Sequence, residues 1–168
     1  SVGSISPGTT PFTAAPVPSV LALMRVDVEP AFVIHQRRYR ETSVLAELLT
    51  RDHGRIGVIA KGARRSRSTL RAGLLGFTLL SASWRGKGEL PTLTQAEAAG
   101  PGNFLRGERL LGGLYLNELV YRLCGRGDPY PEVFEAYAVA VSQLASERDM
   151  EPALRGFEKR LLDSLGYG

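Results

Sequence analysis

Between residues 31 and 97 the apolar side chains recur at every second position, in short runs broken by glycine or by charged corners. That period belongs to strands that turn one face to a core, and it predicts five of them, over residues 31–37, 43–50, 55–61, 77–85 and 90–97. In the third, Ile56, Val58 and Ala60 alternate with Arg55, Gly57 and Lys61. Asp52-His53-Gly54 supplies a turn in which Gly54 can take a positive φ, so the second and third strands form a hairpin. Gly86-Lys87-Gly88 closes a second hairpin from the fourth and fifth. The connection over residues 62–76 is too long for a turn and has room for a short helix or a mobile loop. Five short strands with a long insertion after the third fit a small Greek-key barrel of the OB type.

After Gly100-Pro101-Gly102 the period becomes helical, with Asn103 placed as a cap. Over residues 108–123 the set Leu110, Leu111, Leu114, Tyr115, Leu119, Val120 and Leu123 forms a wide stripe, which predicts a helix buried on most sides. Gly125 and Gly127-Asp128-Pro129 stop it, and Pro131 opens a second helix whose inner face is Val133, Phe134, Tyr137, Val141 and Leu144. A third starts near Glu151-Pro152, presents Leu154, Phe157, Leu161, Leu162 and Leu165, and ends at Gly166 as a left-handed cap. The class is therefore α+β: a five-stranded OB-fold barrel over residues 24–100, then an α-helical domain over residues 101–168. Residues 1–23, with four prolines and no charge, read as an unfolded leader or an upstream extension of a chain that starts at Met24.

Composition narrows the function classes. At 168 residues the chain is too short for a large multidomain enzyme, and no apolar run approaches the ~18 residues that span a bilayer. The single cysteine, Cys124, excludes an internal disulfide framework, offers no soft-ligand cluster with His35 and His53, and suits a reducing, cytoplasmic setting. The net charge of +4 hides an uneven distribution: residues 25–97 carry 13 basic and 7 acidic groups, residues 98–168 carry 8 and 10. A basic first half is suited to a polyanion such as nucleic acid.

Catalytic patterns are absent: no nucleophile elbow, no Walker A sequence, no dinucleotide fingerprint and no paired histidines for zinc. Cys124 ends an apolar helix and reads as an inert core thiol; His53 reads as a turn residue bonded locally, and His35 as a packed or surface strand residue. The strongest feature is the run from Lys61 to Arg71, in which Arg64, Arg65 and Arg67 also stand and no acid interrupts. Guanidinium forks suit phosphate oxygens, and Gly62 lets backbone approach a ligand. A second cluster, Arg37-Arg38-Tyr39-Arg40, can line the same groove. Tyr39 and Trp84 are candidate rings for base stacking, Trp84 beside Arg85 and Lys87, although a lone Trp near a strand end also serves as core filler. Phe32 and Phe77 read as core. These residues alone leave open a DNA-binding barrel, an RNA-binding barrel, or an adaptor whose helical half binds an acidic peptide while the barrel is scaffold.

The Tyr39-Arg40-Glu41-Thr42-Ser43 corner, the Thr50…Gly54 hairpin, the Lys61-Gly62-Ala63-Arg64-Arg65 exit and the later Leu161-Leu162-Asp163-Ser164-Leu165-Gly166-Tyr167, in order and at family spacing, resemble the bacterial RecO family over about residues 24–168. The resemblance implies an N-terminal OB domain and a helical C-terminal domain that bind single- and double-stranded DNA, anneal complementary strands, engage RecR and the acidic tail of single-stranded DNA-binding protein, and so help load RecA, with no cofactor and no catalytic site. It implies DNA contacts at Arg37, Arg38, Tyr39, Arg40, Arg64, Arg65 and Arg67, with Arg51, Arg55 and Lys61 along the same surface; Arg71, at the end of the basic run, and Trp84, Arg85 and Lys87, at the second hairpin, join the candidates on their own residue types. Arg122 and Arg126 become candidates for holding the acidic tail. The leader departs from the family plan, and family members continue past the position of Gly168 with further helices, in many cases with a four-cysteine zinc module.

Overall fold

A computed structural model describes residues 25–167 other than Lys87, Glu89 and Glu147. The leader and the Lys87 contact expected from sequence lie outside the described residues. The strands are β1 (Arg25–Tyr39), β2 (Ser43–Thr50), β3 (Arg55–Ala60), β4 (Leu80–Arg85) and β5 (Thr92–Ala98), closed into a barrel in the order β1-β2-β3-β5-β4. The expected hairpins, β2–β3 and β4–β5, are both antiparallel pairs. Gly54 takes φ +71°, and a Cβ there would lie 2.3 Å from the Asp128 carbonyl oxygen, so the turn needs glycine twice over.

β1 is twice the length its alternation predicts, because it pairs with two neighbours. Residues 31–39 pair with β2, and residues 25–31 pair with β4. Val28, at φ +55°, breaks the alternation within the β4 ladder, between Val26 and Glu29, and donates its N–H to Ser83 Oγ at 3.0 Å. Conversely, β4 begins at Leu80, later than expected, because Phe77 sits at φ +59° and turns its ring out of the barrel. Within the long connection a single short helix, α1 (Thr69–Gly73), forms with Ser68 as its cap. Gly73 lets α1 lie on β5: a Cβ there would come within 1.8 Å of the Ala96 carbonyl oxygen.

Two cores share the β1–β2 sheet. Ala31, Val33, Val44, Ala46, Leu48, Val58, Leu80, Trp84 and Leu93 fill the barrel. Phe32, Ile34, Leu49 and Phe77 point outward and join the helical core of Leu116, Val120, Val133, Tyr137, Leu144, Phe157 and Leu161. The sheet is thus buried on both faces where the helices cover it.

Those helices are α2 (Glu108–Leu123), α3 (Pro131–Ala145) and α4 (Met150–Ser164). The cap of α2 is Gly107, not Asn103, whose amide instead donates to the Phe77 carbonyl at 2.9 Å and ties the interdomain segment to the barrel. Nor is α2 buried on most sides. Its inward face is Gly112, Gly113, Leu116, Asn117 and Val120, while Leu111 is 67% exposed and Leu114 49%. The glycines explain the reversal: a Cβ at Gly113 would lie 2.6 Å from Leu105 and Phe77, so close approach, not side-chain size, selects the packed face. The inner face expected for α3 is buried throughout, with the Tyr137 hydroxyl donating to Asn117 Oδ1 at 2.5 Å. At the end of α4 Gly166 takes φ +89°, and Tyr167 N–H closes on the Leu162 carbonyl at 2.8 Å.

Candidate nucleic-acid interface

The two arginine-rich segments, 24 residues apart at Arg40 and Arg64, meet at one end of the barrel. In β1, residues directly opposite across the ladder share a face, so Arg38, opposite Val44, lies on the face that lines the barrel, and Tyr39, opposite Ser43, lies on the outer one. The turn between β1 and β2 begins with Arg40 at φ +57°. Across this tip runs the loop that leaves β3. Arg64 N–H donates to the Thr42 carbonyl at 2.9 Å, and its guanidinium donates to the carbonyls of Arg40 (3.2 Å) and Glu41 (2.6 Å). At the loop's far end, the Gln36 amide donates to the Leu74 carbonyl at 3.2 Å.

The crossing leaves a cleft on each side of the tip. One, of about 350 Å³, is lined by Tyr39, Arg40, Ser43, Ile59, Lys61 and Arg65. The other, of about 330 Å³, is lined by Gln36, Arg38, Val44, Arg64, Arg71 and Leu74. Among the described residues no carboxylate lines either; Glu41, at the tip, is the one acid within residues 35–44 and 59–76. Arg38, Arg40, Lys61, Arg65, Arg67 and Arg71 are exposed, and among the described residues none has a carboxylate partner. Arg40 lies over the Tyr39 ring, 4.9 Å from its centroid, so ring and guanidinium form one flat amphipathic surface at the cleft edge. Arg85 stands opposite Thr92, itself opposite Ile59, which places it two strands from the first cleft.

Other expected contacts lie elsewhere. Arg37 is on the outer face of β1, in a hollow with Glu47, Tyr121 and Arg126. Arg51 is eight residues along β2 from the tip, about 26 Å at strand rise, and pairs with Asp52 at 3.2 Å. Arg55 starts β3 at that far end and is structural: it pairs with Glu47 at 2.6 Å, donates to the Cys124 carbonyl at 2.8 Å and stacks on Tyr121. Neither lies on the surface of Lys61. Trp84 is only 6% exposed, packed in the barrel core with its ring edge-on to His53, so it presents no face to a base. In the helical part, Arg122 pairs with Glu118, and Arg126 with Glu47. An acidic tail would have to displace an internal carboxylate at either.

Comparison with known proteins places the chain in a family. The family models "Recombination protein O N terminal" and "Recombination protein O C terminal" match residues 24–101 and 105–168. The chain belongs to the RecO family. DNA repair protein RecO of Aromatoleum aromaticum is 50% identical over 144 residues, which are 86% of this chain and 60% of the relative. That of Methylococcus capsulatus is 52% identical with the same coverage, and that of Burkholderia pseudomallei is 47% identical over 161 residues, 96% of this chain and 58% of the relative. The chain spans about 60% of the length of the curated relatives it matches. The closed five-stranded barrel followed by helices is the fold the RecO resemblance implied.

Sequence reasoning missed the joint that holds this RecO-family barrel to its helices: it passed over Glu47 and gave Arg55 and Arg126 other roles. Glu47, buried at 5% exposure, accepts from both Arg55 and Arg126, and the Gly127 N–H donates to the Arg55 carbonyl at 2.9 Å. Gly57 makes room for this joint, since a Cβ there would sit 2.6 Å from Arg126 Nη2. A lone Glu in an apolar strand was the available signal, because a buried carboxylate needs a cationic partner. Cys124 lies at the same joint, 1% exposed, and burial pushes its thiol up to about 11 despite nearby Arg55. Its burial in the core is what its position predicts. Among the described residues no group of three His, Cys, Asp or Glu could hold a metal, and no helix is long and apolar enough to cross a membrane.

Proposed function

We propose that this chain is the DNA-binding part of a non-catalytic recombination mediator acting in the cytoplasm. It holds single- and double-stranded DNA by the sugar–phosphate chain, anneals complementary strands without ATP, and with RecR and the acidic tail of single-stranded DNA-binding protein promotes RecA loading at gaps. The observation that carries the reading is the gathering of exposed cations that have no carboxylate partner among the described residues: Arg40, Lys61 and Arg65 on one side of the hairpin tip, Arg38 and Arg71 on the other, and Arg67 in the loop between Arg65 and Arg71. Like charges so gathered repel one another, and a polyanion relieves the repulsion while releasing its own counterions.

Fluorescence anisotropy with a labelled thymidine oligonucleotide tests it. If each of the six cations neutralises one single-strand phosphate, the log–log salt slope is about −4, and affinity falls about 300-fold between 50 and 200 mM salt. Alanine at both Arg65 and Arg67 should lower the slope by about 1.4 whatever the base sequence. Binding indifferent to salt, or no binding at low salt, refutes the reading. Mixing complementary strands with the protein and following duplex formation without ATP tests annealing.

A further inference from the structure

Building on the DNA-binding reading above, we infer that the two clefts hold two separate strands at once, one on each side of the β1–β2 tip. The clefts share no lining residue. What divides them is continuous protein: the Arg64 N–H on the Thr42 carbonyl and the Arg64 guanidinium on the Arg40 and Glu41 carbonyls close the gap between loop and tip. The division follows from strand geometry, since neighbouring residues of β1 point to opposite faces, Arg38 to one cleft and Tyr39 to the other.

The cations are shared out in the same way. Arg40, Lys61 and Arg65 serve one cleft, and Arg38 and Arg71 the other. Each side also has neutral donors, the Thr42 and Ser43 hydroxyls on the first and the Gln36 amide on the second. Glu41, the one carboxylate of both segments, stands at the tip between the clefts and in neither. A single strand bound to both would have to climb over this ridge beside that carboxylate. Two strands need not, and each lies against its own cations, with the width of one hairpin between them, inside the ~8–10 Å over which charges act in physiological salt. Their mutual repulsion, the barrier to pairing, is offset from both sides at the moment of approach.

Native mass spectrometry and calorimetry with a thymidine oligonucleotide of about six residues read the stoichiometry. The unaltered chain should take two per protein. The pair Arg38→Glu with Arg71→Glu should take one, as should Lys61→Glu with Arg65→Glu. Each pair should slow ATP-free annealing at least about tenfold, because one strand is no longer held. The corresponding alanine pairs guard against misfolding from charge reversal and should give the same stoichiometries with an unaltered thermal transition. One oligonucleotide on the unaltered chain, or loss of both from either pair, overturns the two-strand arrangement while leaving DNA binding intact. No oligonucleotide bound at low salt overturns both.

Discussion

Arg64 is the residue at which structure and composition disagree, and its replacement by alanine separates them. By composition it is one more phosphate-binding arginine of a basic loop. In the fold its guanidinium is committed to two backbone carbonyls, at 3.2 and 2.6 Å, that hold the loop on the tip. Hydrogen bonds of this kind contribute about 1 kcal/mol each after exchange with water. Arg64→Ala therefore removes about 2 kcal/mol of docking free energy, while the Arg64 N–H bond to Thr42 remains. If only the docked loop binds, affinity falls with its population, by up to about 30-fold. That penalty is the same at every salt concentration, because docking returns on binding and the number of neutralised phosphates does not change. A lost phosphate contact acts otherwise: the slope shrinks by about 0.7 and the variant approaches the parent as salt rises. Anisotropy titrations from 50 to 300 mM salt, plotted on logarithmic axes, thus give two displaced parallel lines if Arg64 is a strut. Lines that converge refute the assignment and return Arg64 to the phosphate contacts.

Three further outcomes follow from the joint and the core. Glu47→Gln keeps one acceptor oxygen but removes the negative charge that Arg55, with a side chain 14% exposed, shares with Arg126, and should cost about 3 kcal/mol in urea unfolding; a loss below about 1 kcal/mol would mean that the carboxylate charge is dispensable. The Cys124 thiol is raised from 9.0 to about 11 in the folded state, so the unfolded chain loses this proton first and stability declines as pH rises above about 9. Between pH 8 and 10 the parent should lose about 1.4 kcal/mol relative to Cys124→Ala, and a constant difference would refute the shift. Trp84→Ala should destabilise the barrel by about 4 kcal/mol, as a buried ring does, whereas a folded, equally stable variant with weaker DNA binding would restore Trp84 as a stacking residue.

The barrel was legible because its pattern is local. Period-two runs and the glycines at 54, 86 and 88 mark strands and hairpins without reference to anything distant. The first half of β1 was not, since Asp27, Glu29 and Pro30 carry no alternation and are strand only through the ladder to β4. For α2 the pattern misled: leucines outweigh glycines in any hydropathy count, yet Gly112 and Gly113 make the contact, because helices approach most closely where there is no side chain. For the interface, the two basic clusters stood out as composition, but which arginines were free for a ligand depended on acceptors far away in sequence. Arg55 finds Glu47 and Cys124, and Arg64 finds the turn carbonyls. Nothing within a few residues of either announces this.

The choice of acceptor carries a physical distinction between the two ends of the barrel. At the joint with the helices the largely buried guanidinium of Arg55 is held by a carboxylate, which cancels its charge as well as fixing its place. At the tip, Arg64 is fixed by neutral carbonyl oxygens, which orient a guanidinium and leave its charge whole. A carboxylate there would anchor the loop more tightly, and would also weaken the positive field of Arg38, Arg40, Lys61, Arg65 and Arg71 on which the proposed DNA binding rests. Holding a cation by backbone carbonyls keeps loop order and surface charge independent. A fold that must gather like charges and still hold their supporting loop in one place has few other ways to do so.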